Sequence, residues 1–437
     1  MWKTCSFIIL FIALPICMAI SEDVDVSNPL TLEQCIKVAL EQSPNIKTAE
    51  LDLITSNNNV KDAKASFLPE INTNGQYQFS DINNIGLEKS NYNAQISANY
   101  RLWDHGKRRT ALNQAKANEQ SSKMDYSQTE QGLIFNITDA YYNLLQSEKL
   151  ISVDEKLLEI SKRNVEKAKL FLEKGRATPA DVASAKVQQA NDELTLINSQ
   201  NDLKLAQARL STLMGLDKGK PVKVQDGPDY KNYMESSLIK HEISLEDSIT
   251  KAIQNRPELN SLRSRLTSSE WSLKQTKLDR LPVLSADYNY NFLFGGGTPK
   301  DSNVDNSWNA VARFTFPIFD GGVSKRRQQN AEINVQQTKE SIKSREQSIV
   351  LEVQQEYFNF ERTTKSLDIA KDQVENATLS LDVTQGRYDQ GMTIFLDVLS
   401  AQARYAQSIT NQVRAFYDYK IAEKSLQKAA GDLKAGE

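Results

Sequence analysis

The chain has 437 residues, with 53 basic and 56 acidic side chains and a formal net charge of −3. This balance provides no basic excess of the kind that nucleic-acid binding requires. Only 17 glycines and 11 prolines are present, about half the usual share, so turns are few and the elements between them are long. Hydrophobic residues make up 39% of the sequence, which argues against a single thick core.

Residues 1–19 are typical of a secretory signal peptide, with a positive charge at Lys3, an apolar run over 7–16 and a small residue before a polar stretch. A lipoprotein signal would use Cys17, but the residue before it is not small. After cleavage only Cys35 remains, so no intrachain disulfide can form. No later apolar stretch reaches the length of a membrane-spanning helix.

The same residue pattern occurs twice along the chain. Leu32-Glu33 recurs as Leu245-Glu246, and after one three-residue insertion the matches continue as far as Gly215 and Gly431. Repeats of this kind are the signature of duplicated structural units. We therefore predict two tandem repeats joined by a linker: repeat 1 at 20–215, the linker at 216–242 and repeat 2 at 243–437.

Each repeat is predicted to contain a helix, two strands, a very long helix and a medium helix. The fold class is therefore mainly α with transmembrane β. At 1.5 Å per residue each long helix spans roughly 100 Å, about the combined length of the two shorter ones. The apolar residues of the helices are small and sparse, which suits a thin wall with water on both faces. A plain coiled coil is disfavoured, because the sequence has no sustained heptad repeat of large apolar residues. The predicted ranges are 31–66, 70–80, 92–103, 107–172 and 179–213 in repeat 1, and 244–279, 283–294, 308–317, 323–388 and 394–430 in repeat 2.

The four predicted strands alternate between apolar or aromatic residues and polar ones. A period of two over about ten residues is typical of transmembrane β-barrels. The alternative is a soluble sheet with one buried face, but the helices offer no apolar face to cover it. The loops at 81–91 and 295–307 are polar, as extracellular loops should be. We predict that the lipid-facing side chains are Tyr77, Phe79, Tyr92, Ile96, Tyr100, Tyr288, Tyr290, Phe292, Trp308, Phe314 and Phe316.

Four strands cannot close a barrel, since single-chain barrels begin at about eight strands. Open strand edges are not tolerated in lipid. The strands must therefore be completed by other copies of the chain. Three copies would supply twelve strands above a wall of parallel helices.

The sequence offers no catalytic constellation. It contains no phosphate-binding Gly-x-x-x-x-Gly-Lys-Ser/Thr loop and no His-Glu-x-x-His motif, and its two histidines, His105 and His241, lie far apart. We expect no enzyme activity, no cofactor and no metal site. A secreted hydrolase is disfavoured for the same reason.

Two motifs complete the pattern: 316–322, Phe-Pro-Ile-Phe-Asp-Gly-Gly, leads into the second long helix, and Tyr388-x-x-Gly391 precedes Asp397-Val398-Leu399. With the paired Leu-Glu openings at 32–33 and 245–246, they make the chain resemble the TolC-like outer-membrane efflux proteins over its whole mature length. The resemblance implies a homotrimer with a 12-stranded barrel in the outer membrane of a Gram-negative cell and a 12-helix barrel in the periplasm. It implies a passive exit duct for efflux or type I secretion, with outer-membrane lipid around the barrel. The partners would be a periplasmic adaptor and an inner-membrane transporter of the RND, ABC or MFS type. The rival hypothesis is a periplasmic coiled-coil scaffold or adaptor without a pore.

The resemblance also implies a gate near the turns after the long helices. Asp397 occupies the position of an acidic ring residue, Asp181 is its counterpart in repeat 1, and Tyr388 matches a gate-tethering tyrosine. Thr393 stands where the family has a gate arginine, and Ser400 where it has a second acid, so the familiar ion-pair lock is in doubt. Gly175 and Gly391 match turns near which adaptor hairpins dock.

The residues themselves allow plainer interpretations. Thr178 is suited to cap the following helix, which would make Asp181 a capping carboxylate at the third helical position. If Thr393 caps the last helix, Asp397 is its fourth residue, beyond the best capping position. Tyr388 could simply pack at a helix end, and Gly175 and Gly391 suit left-handed helix ends.

Overall fold

The computed structural model describes residues 28–82, 87–216, 221–225, 230, 233, 243–294 and 304–433. The signal peptide at 1–19 lies outside these residues, as do most of the linker at 216–242 and His241. The described residues contain eight helices and four strands, which occur in two similar series. Repeat 1 contains α1 (Leu32–Gln42), α2 (Pro44–Ala65), β1 (Glu70–Ile82), β2 (Leu87–Trp103), α3 (Lys107–Glu173) and α4 (Pro179–Leu213). Repeat 2 contains α5 (Leu245–Asn255), α6 (Pro257–Leu278), β3 (Val283–Phe294), β4 (Val304–Thr315), α7 (Val323–Asp389) and α8 (Phe395–Ala429).

Local signals explain where the helices begin and end. Pro44 and Pro257 occupy the first position of α2 and α6, where the missing N–H is not needed. The two long helices each contain 67 residues, and their observed ends differ from the predicted ones by a single residue. α2 with α4, and α6 with α8, contain 57 residues in each repeat, ten fewer than a long helix, so the helices form rods of similar height.

The strand boundaries differ from those expected. β1 continues to Ile82, β2 begins at Leu87 and β4 begins at Val304, so the predicted loops at 81–91 and 295–307 are too long. The backbone continues to pair beyond the aromatic part of each strand, where the sequence no longer alternates clearly. β4 ends at Thr315, and Phe316, predicted as part of it, lies outside, because Pro317 forms no ladder hydrogen bond and restricts the residue before it.

The four strands form one antiparallel sheet in the order β1-β2-β3-β4. β2 of the first repeat therefore pairs with β3 of the second, and the pairing extends from Tyr92↔Phe294 to Trp103↔Leu284. β1 and β4 are the edge strands. A shift in register between Arg101 and Trp103 marks the end of β2 near the start of α3.

The helices form a layer in which α3 lies in the middle. In the half near the sheet α3 contacts α2 and α6, and in the other half it contacts α4 and α8. α7 packs against α6 and α8. The pair α2 and α4 therefore occupies one edge of the layer, and α7 occupies the other. The largest buried cluster lies midway along α3, around Ile137 and Leu144, and includes Tyr417 of α8.

Candidate functional site

The turns that follow the two long helices have the same backbone geometry. Gly175 and Gly391 have φ of 70° and 73°, in the left-handed region that glycine tolerates best. The N–H of Arg176 donates to the carbonyl of Phe171 at 2.7 Å, and the N–H of Met392 donates to that of Arg387 at 2.8 Å. These are the bonds of a Schellman helix end, which places both glycines at matching corners of the two repeats.

Asp181 takes part in a capping box at the start of α4. Its N–H donates to Thr178 Oγ1 at 3.2 Å, and the N–H of Thr178 donates to Asp181 Oδ2 at 2.8 Å. The Thr178 hydroxyl also donates to the same carboxylate oxygen. The local interpretation of Asp181 is therefore correct: its carboxylate satisfies backbone groups that would otherwise be unpaired.

Asp397 has a different position from the one expected. The helix begins at Phe395, the residue in the capping position is Ile394, and it makes no side-chain cap. Asp397 is therefore the third helical residue and not the fourth, so the expectation that it lies beyond the capping turn was wrong. Thr393 donates its hydroxyl to the Asp397 carboxylate, and the Asp397 side chain remains exposed to solvent. Ser400 uses its hydroxyl within the helix, as a donor to the carbonyl of Leu396.

Tyr388 packs in the small apolar cluster that joins the two turns. Its ring centroid is 5.4 Å from that of Phe171 and 5.5 Å from that of Phe395, and the residue is only 6% exposed. Among the described residues the hydroxyl has no hydrogen-bond partner. Burial raises the pKa of Tyr388, and the negative charges of Asp181 and Asp389 raise it further. The ring contributes packing between the repeats, and its hydroxyl forms no tether in this arrangement.

Basic residues of repeat 1 reach across to the end of α7. Lys167 forms an ion pair with the Asp389 carboxylate. Arg176 Nη2 donates to the Asp389 carbonyl at 3.1 Å, while the guanidinium lies 4.8 Å from the centre of the Phe171 ring. The two turns are thus joined by a polar clamp, formed by Lys167, Arg176 and Asp389, beside the apolar cluster.

The sequence interpretation missed this clamp. A usable signal was present, since Asp389 is an acid in the last turn of a helix, where a negative charge opposes the helix dipole and needs a cation nearby. The partner lies in the other repeat, more than two hundred residues away in the chain. No local pattern identifies Lys167 as that partner.

The predicted lipid-facing residues of the sheet share one face. The register aligns Ile96 with Tyr290 and Tyr290 with Trp308, and residues directly opposite in a ladder point to the same side. Trp308 is 67% exposed and Phe314 65%. The other face is polar, with Gln95 donating to Asn289 at 3.2 Å. The side chains of Phe79 and Tyr92 lie outside the described part of the structure, and Phe316, beyond the end of β4, is 51% exposed.

Within the described residues, no helix is both long and apolar enough to cross a lipid bilayer. In the same part of the chain, no three His, Cys, Asp or Glu side chains come together as a potential metal site.

A family model described as outer membrane efflux protein matches residues 35–216 and 248–432. The chain belongs to this family. The two matched segments correspond to the two series of elements, so the family pattern covers both repeats.

Relatives and solved structures agree with this membership. The outer membrane protein TolC of Escherichia coli is 22% identical over 425 residues, which cover 93% of this chain and 83% of that protein. The pyoverdine export outer membrane protein OpmQ of Pseudomonas putida is 21% identical over 414 residues, covering 92% and 85%. The Campylobacter jejuni CmeC outer membrane channel has the same fold, with a TM-score of 0.78 at 18% identity over 93% of this chain and 87% of that one. The outer membrane protein VceC of Vibrio cholerae gives 0.75 at 17% identity over 92% and 96%.

This outer membrane efflux protein is accordingly a passive channel of the Gram-negative outer membrane, with a helical part in the periplasm, and it is not an enzyme. The hypothesis of a scaffold without a pore is not supported by these relatives.

Proposed function

We propose that three copies of this chain form the exit duct of a tripartite efflux or secretion system. The observation that carries this proposal is the four-stranded sheet with one apolar, exposed face and two edge strands. Such a sheet exposes both apolar surface and unpaired backbone groups, which a bilayer tolerates only in a closed barrel. Pairing β4 of one copy with β1 of the next closes twelve strands from three copies.

The helical layer supports the same closure. α4 packs one face on α3 through Ala185 and Leu210, both fully buried. Its opposite face carries Val187, Leu194 and Ile197, each more than half exposed. A helix with apolar residues on two opposite faces is suited to a wall in which it has a neighbour on each side. At the other edge, α7 has a similar exposed row that includes Leu351, Phe358, Ile369, Leu379 and Val383.

The partners follow from the relatives and from the geometry of the turns. The resemblance to TolC-like proteins implies a periplasmic adaptor and an inner-membrane transporter, and the sequence contains no phosphate-binding loop through which this chain could draw energy from a nucleotide. We infer that the adaptor docks at the turns at Gly175 and Gly391, next to which Met392 and Ile394 are each 63% exposed. The transporter would be of the RND, ABC or MFS type.

The same turns would form the gate. Asp397 is exposed at the tip, where three copies brought together would create a ring of negative charge that attracts cations. Thr393 lies beside it, and Asp181 is its counterpart in repeat 1. The contact that holds the turns of one copy together is the clamp of Lys167 and Arg176 on Asp389. In this assignment Tyr388 supports the clamp by packing, and Asp389 replaces the missing ion-pair lock.

Single-channel recording of the purified mature protein in planar bilayers tests the proposal. Discrete current steps are expected, with a low open probability. Replacing Lys167 by Met removes the charge but keeps the side-chain length, so the ion pair is lost. Since the pair is partly exposed, with side chains 30% and 42% accessible, its contribution is on the order of 0.2–1 kcal/mol per copy. Over three copies the open probability should rise several-fold.

Lys169→Met is the matched control, because Lys169 is exposed on the same helix and forms no ion pair in the described part of the chain. It should leave the open probability unchanged. The channel proposal would be contradicted if folded, detergent-extracted protein gave no current steps under any condition. If Lys167→Met and the native protein have equal open probability, the clamp does not hold the channel closed.

A further inference from the structure

We infer that the junction between the sheet and the long helices carries a basic collar that binds the headgroups of anionic phospholipids in the periplasmic leaflet. The collar consists of exposed cations at the starts of α3 and α7 and at the corner between α6 and β3: Arg109, Lys277, Arg280, Lys325, Arg326 and Arg327. The inference rests on the location of the protein in the outer membrane.

The first observation is a local charge excess in a chain that is acidic overall. Residues 101–109 contain four basic residues and one acid, residues 313–327 again contain four and one, and residues 274–280 contain three and one. The whole chain has a net charge of −3. The three segments meet where the strands join the helices. Lys107 forms an ion pair with Asp279 at 3.2 Å, and the positive charge of Arg280 helps to lower the pKa of Asp320.

The few acids in this region are already engaged. Asp320 accepts bonds from the backbone of Gly322 and Ser324 at 3.0 and 2.8 Å, and Asp104 is paired with Arg108 at 2.9 Å. In contrast, Arg109, Lys325 and Arg327 are exposed and form no ion pair within the described part of the chain. Their charges therefore face solvent without compensation from the protein.

The position of these cations is unfavourable for the helices themselves. A positive charge in the first turn opposes the helix dipole. α2, α3 and α7 have no acid in the first turn, whereas α1, α4, α6 and α8 each have one and α5 has two. Both helices that begin beside the sheet, α3 and α7, carry positive charge in the first turn. An external anion bound there would offset this unfavourable interaction with the helix dipole.

The second, independent observation is the apolar surface next to the cations. Ile318 and Phe319, in the turn before α7, are 89% and 90% exposed, and Leu68, before β1, is 69% exposed. Side chains of this kind insert at the boundary between headgroups and acyl chains. In the turn before α7, Ile318 and Phe319 are followed along the chain by the cations of 325–327, which matches the order of acyl chain and phosphate in a phospholipid. Charge complementarity selects an anionic headgroup, since each Lys or Arg near such a surface favours binding by about fivefold.

The test uses the whole protein in neutral detergent micelles, titrated with short-chain phosphatidylglycerol or phosphatidylcholine while thermal unfolding is followed. The native protein should gain stability from phosphatidylglycerol at concentrations at least about tenfold lower than from phosphatidylcholine. Raising the salt from 0.05 to about 0.5 M should reduce this preference by screening. Inorganic phosphate, tested alone, separates headgroup binding at a lipid surface from the binding of any phosphate.

The decisive variant combines Arg109→Gln, Lys325→Gln and Arg327→Gln. Its preference for phosphatidylglycerol should fall by at least about tenfold, while its melting temperature without lipid stays equal to or slightly above that of the native chain. The matched control combines Lys162→Gln, Lys169→Gln and Lys371→Gln, which removes three exposed charges from the same two helices far from the sheet and should keep the preference.

An equal response to the two lipids, an unchanged preference in the collar variant, or an equal response to inorganic phosphate would each overturn the inference. Channel recording in a neutral bilayer distinguishes a failure of the lipid-binding inference from a failure of the proposed channel function. The collar variant should conduct normally there, so loss of lipid preference with normal current concerns the collar alone.

Discussion

Glycines with the same backbone conformation differ in how much their surroundings tolerate a side chain. Gly175 and Gly215 both have positive φ, 70° and 73°. A Cβ at Gly175 would meet nothing within 4 Å, whereas one at Gly215 would lie 2.8 Å from the carbonyl oxygen of Gln42. The second contact involves backbone between α1 and α2, which cannot move without disturbing the junction of these helices.

Alanine substitution should separate these two effects. Gly175→Ala introduces only left-handed strain, about 1–2 kcal/mol. Gly215→Ala adds a backbone clash, so we expect a clearly larger loss, with a total of about 3 kcal/mol or more. Thermal unfolding of the two variants in detergent measures the difference directly. Equal losses would show that α1 and α2 move apart at little cost.

The roles of some site residues could be predicted from the sequence, and those of others could not. The roles of Thr178 and Asp181 were predictable because a capping box involves residues three apart in the chain. The position of Asp397 was misjudged because Thr393 looks like a cap but its hydroxyl donates to Asp397, while the helix starts after Ile394. The clamp on Asp389 depends on contacts between the two repeats, and those follow only from the packed fold.

At the scale of elements, the two repeats join their first two helices by different chemistry. In repeat 1 the junction residue is Ser43, which is buried. In repeat 2 it is Arg256, whose guanidinium donates two bonds to Glu352 of α7 at 2.7 and 2.8 Å and also contacts Glu258 at 2.9 Å. The hydrogen bonds from Arg256 lower the pKa of Glu352 below its usual value of 4.5, against the opposing effect of burial.

A carboxylate with a lowered pKa stabilises the folded state above its unfolded pKa, and this contribution is lost as the pH falls through the folded pKa. Glu352→Gln should therefore reduce stability at pH 7, by about 1–3 kcal/mol, because Arg256 loses one charged partner. The difference between variant and native chain should shrink as the pH is lowered below about 4.5. Unfolding temperatures measured between pH 7 and pH 3 give the comparison.

Glu375→Gln serves as the control, since Glu375 is exposed on the same helix and has no ion pair among the described residues. It should change stability little at any pH. A constant gap between Glu352→Gln and the native chain down to pH 3 would contradict the role of this ion pair.

Helices and strands differed in how well their limits could be predicted. The ends of α3 and α4 depend on Gly175, Thr178 and Pro179, which lie next to one another in the sequence. The ends of a strand depend on its partner, so β2 continues to pair with β1 as far as Leu87↔Ile82 even though the alternation of aromatic residues ends earlier. Local signals thus sufficed for the helices but not for the hairpins.

At the scale of the whole molecule, the unfinished edges of the helical layer lead to the last prediction. If α4 meets α7 of a second copy, a charge in the middle of its exposed apolar row becomes buried without a partner. Leu194, 59% exposed in the single chain, lies in the middle of that row. Leu194→Glu should leave the chain folded but prevent stable trimers, since an unpaired buried carboxylate costs several kcal/mol in each of three interfaces.

Gln200→Glu is the matched control, because it adds the same charge to an exposed polar position of α4 outside the apolar row. Light scattering in detergent, with the detergent contribution subtracted, reports the mass of each variant. The native protein and Gln200→Glu should give the mass of three chains, and Leu194→Glu that of one. A Leu194→Glu protein that remains trimeric and conducts normally would mean that this face of α4 points into water in the assembly. Ring closure would then depend on the strands and on the α2 half of the edge.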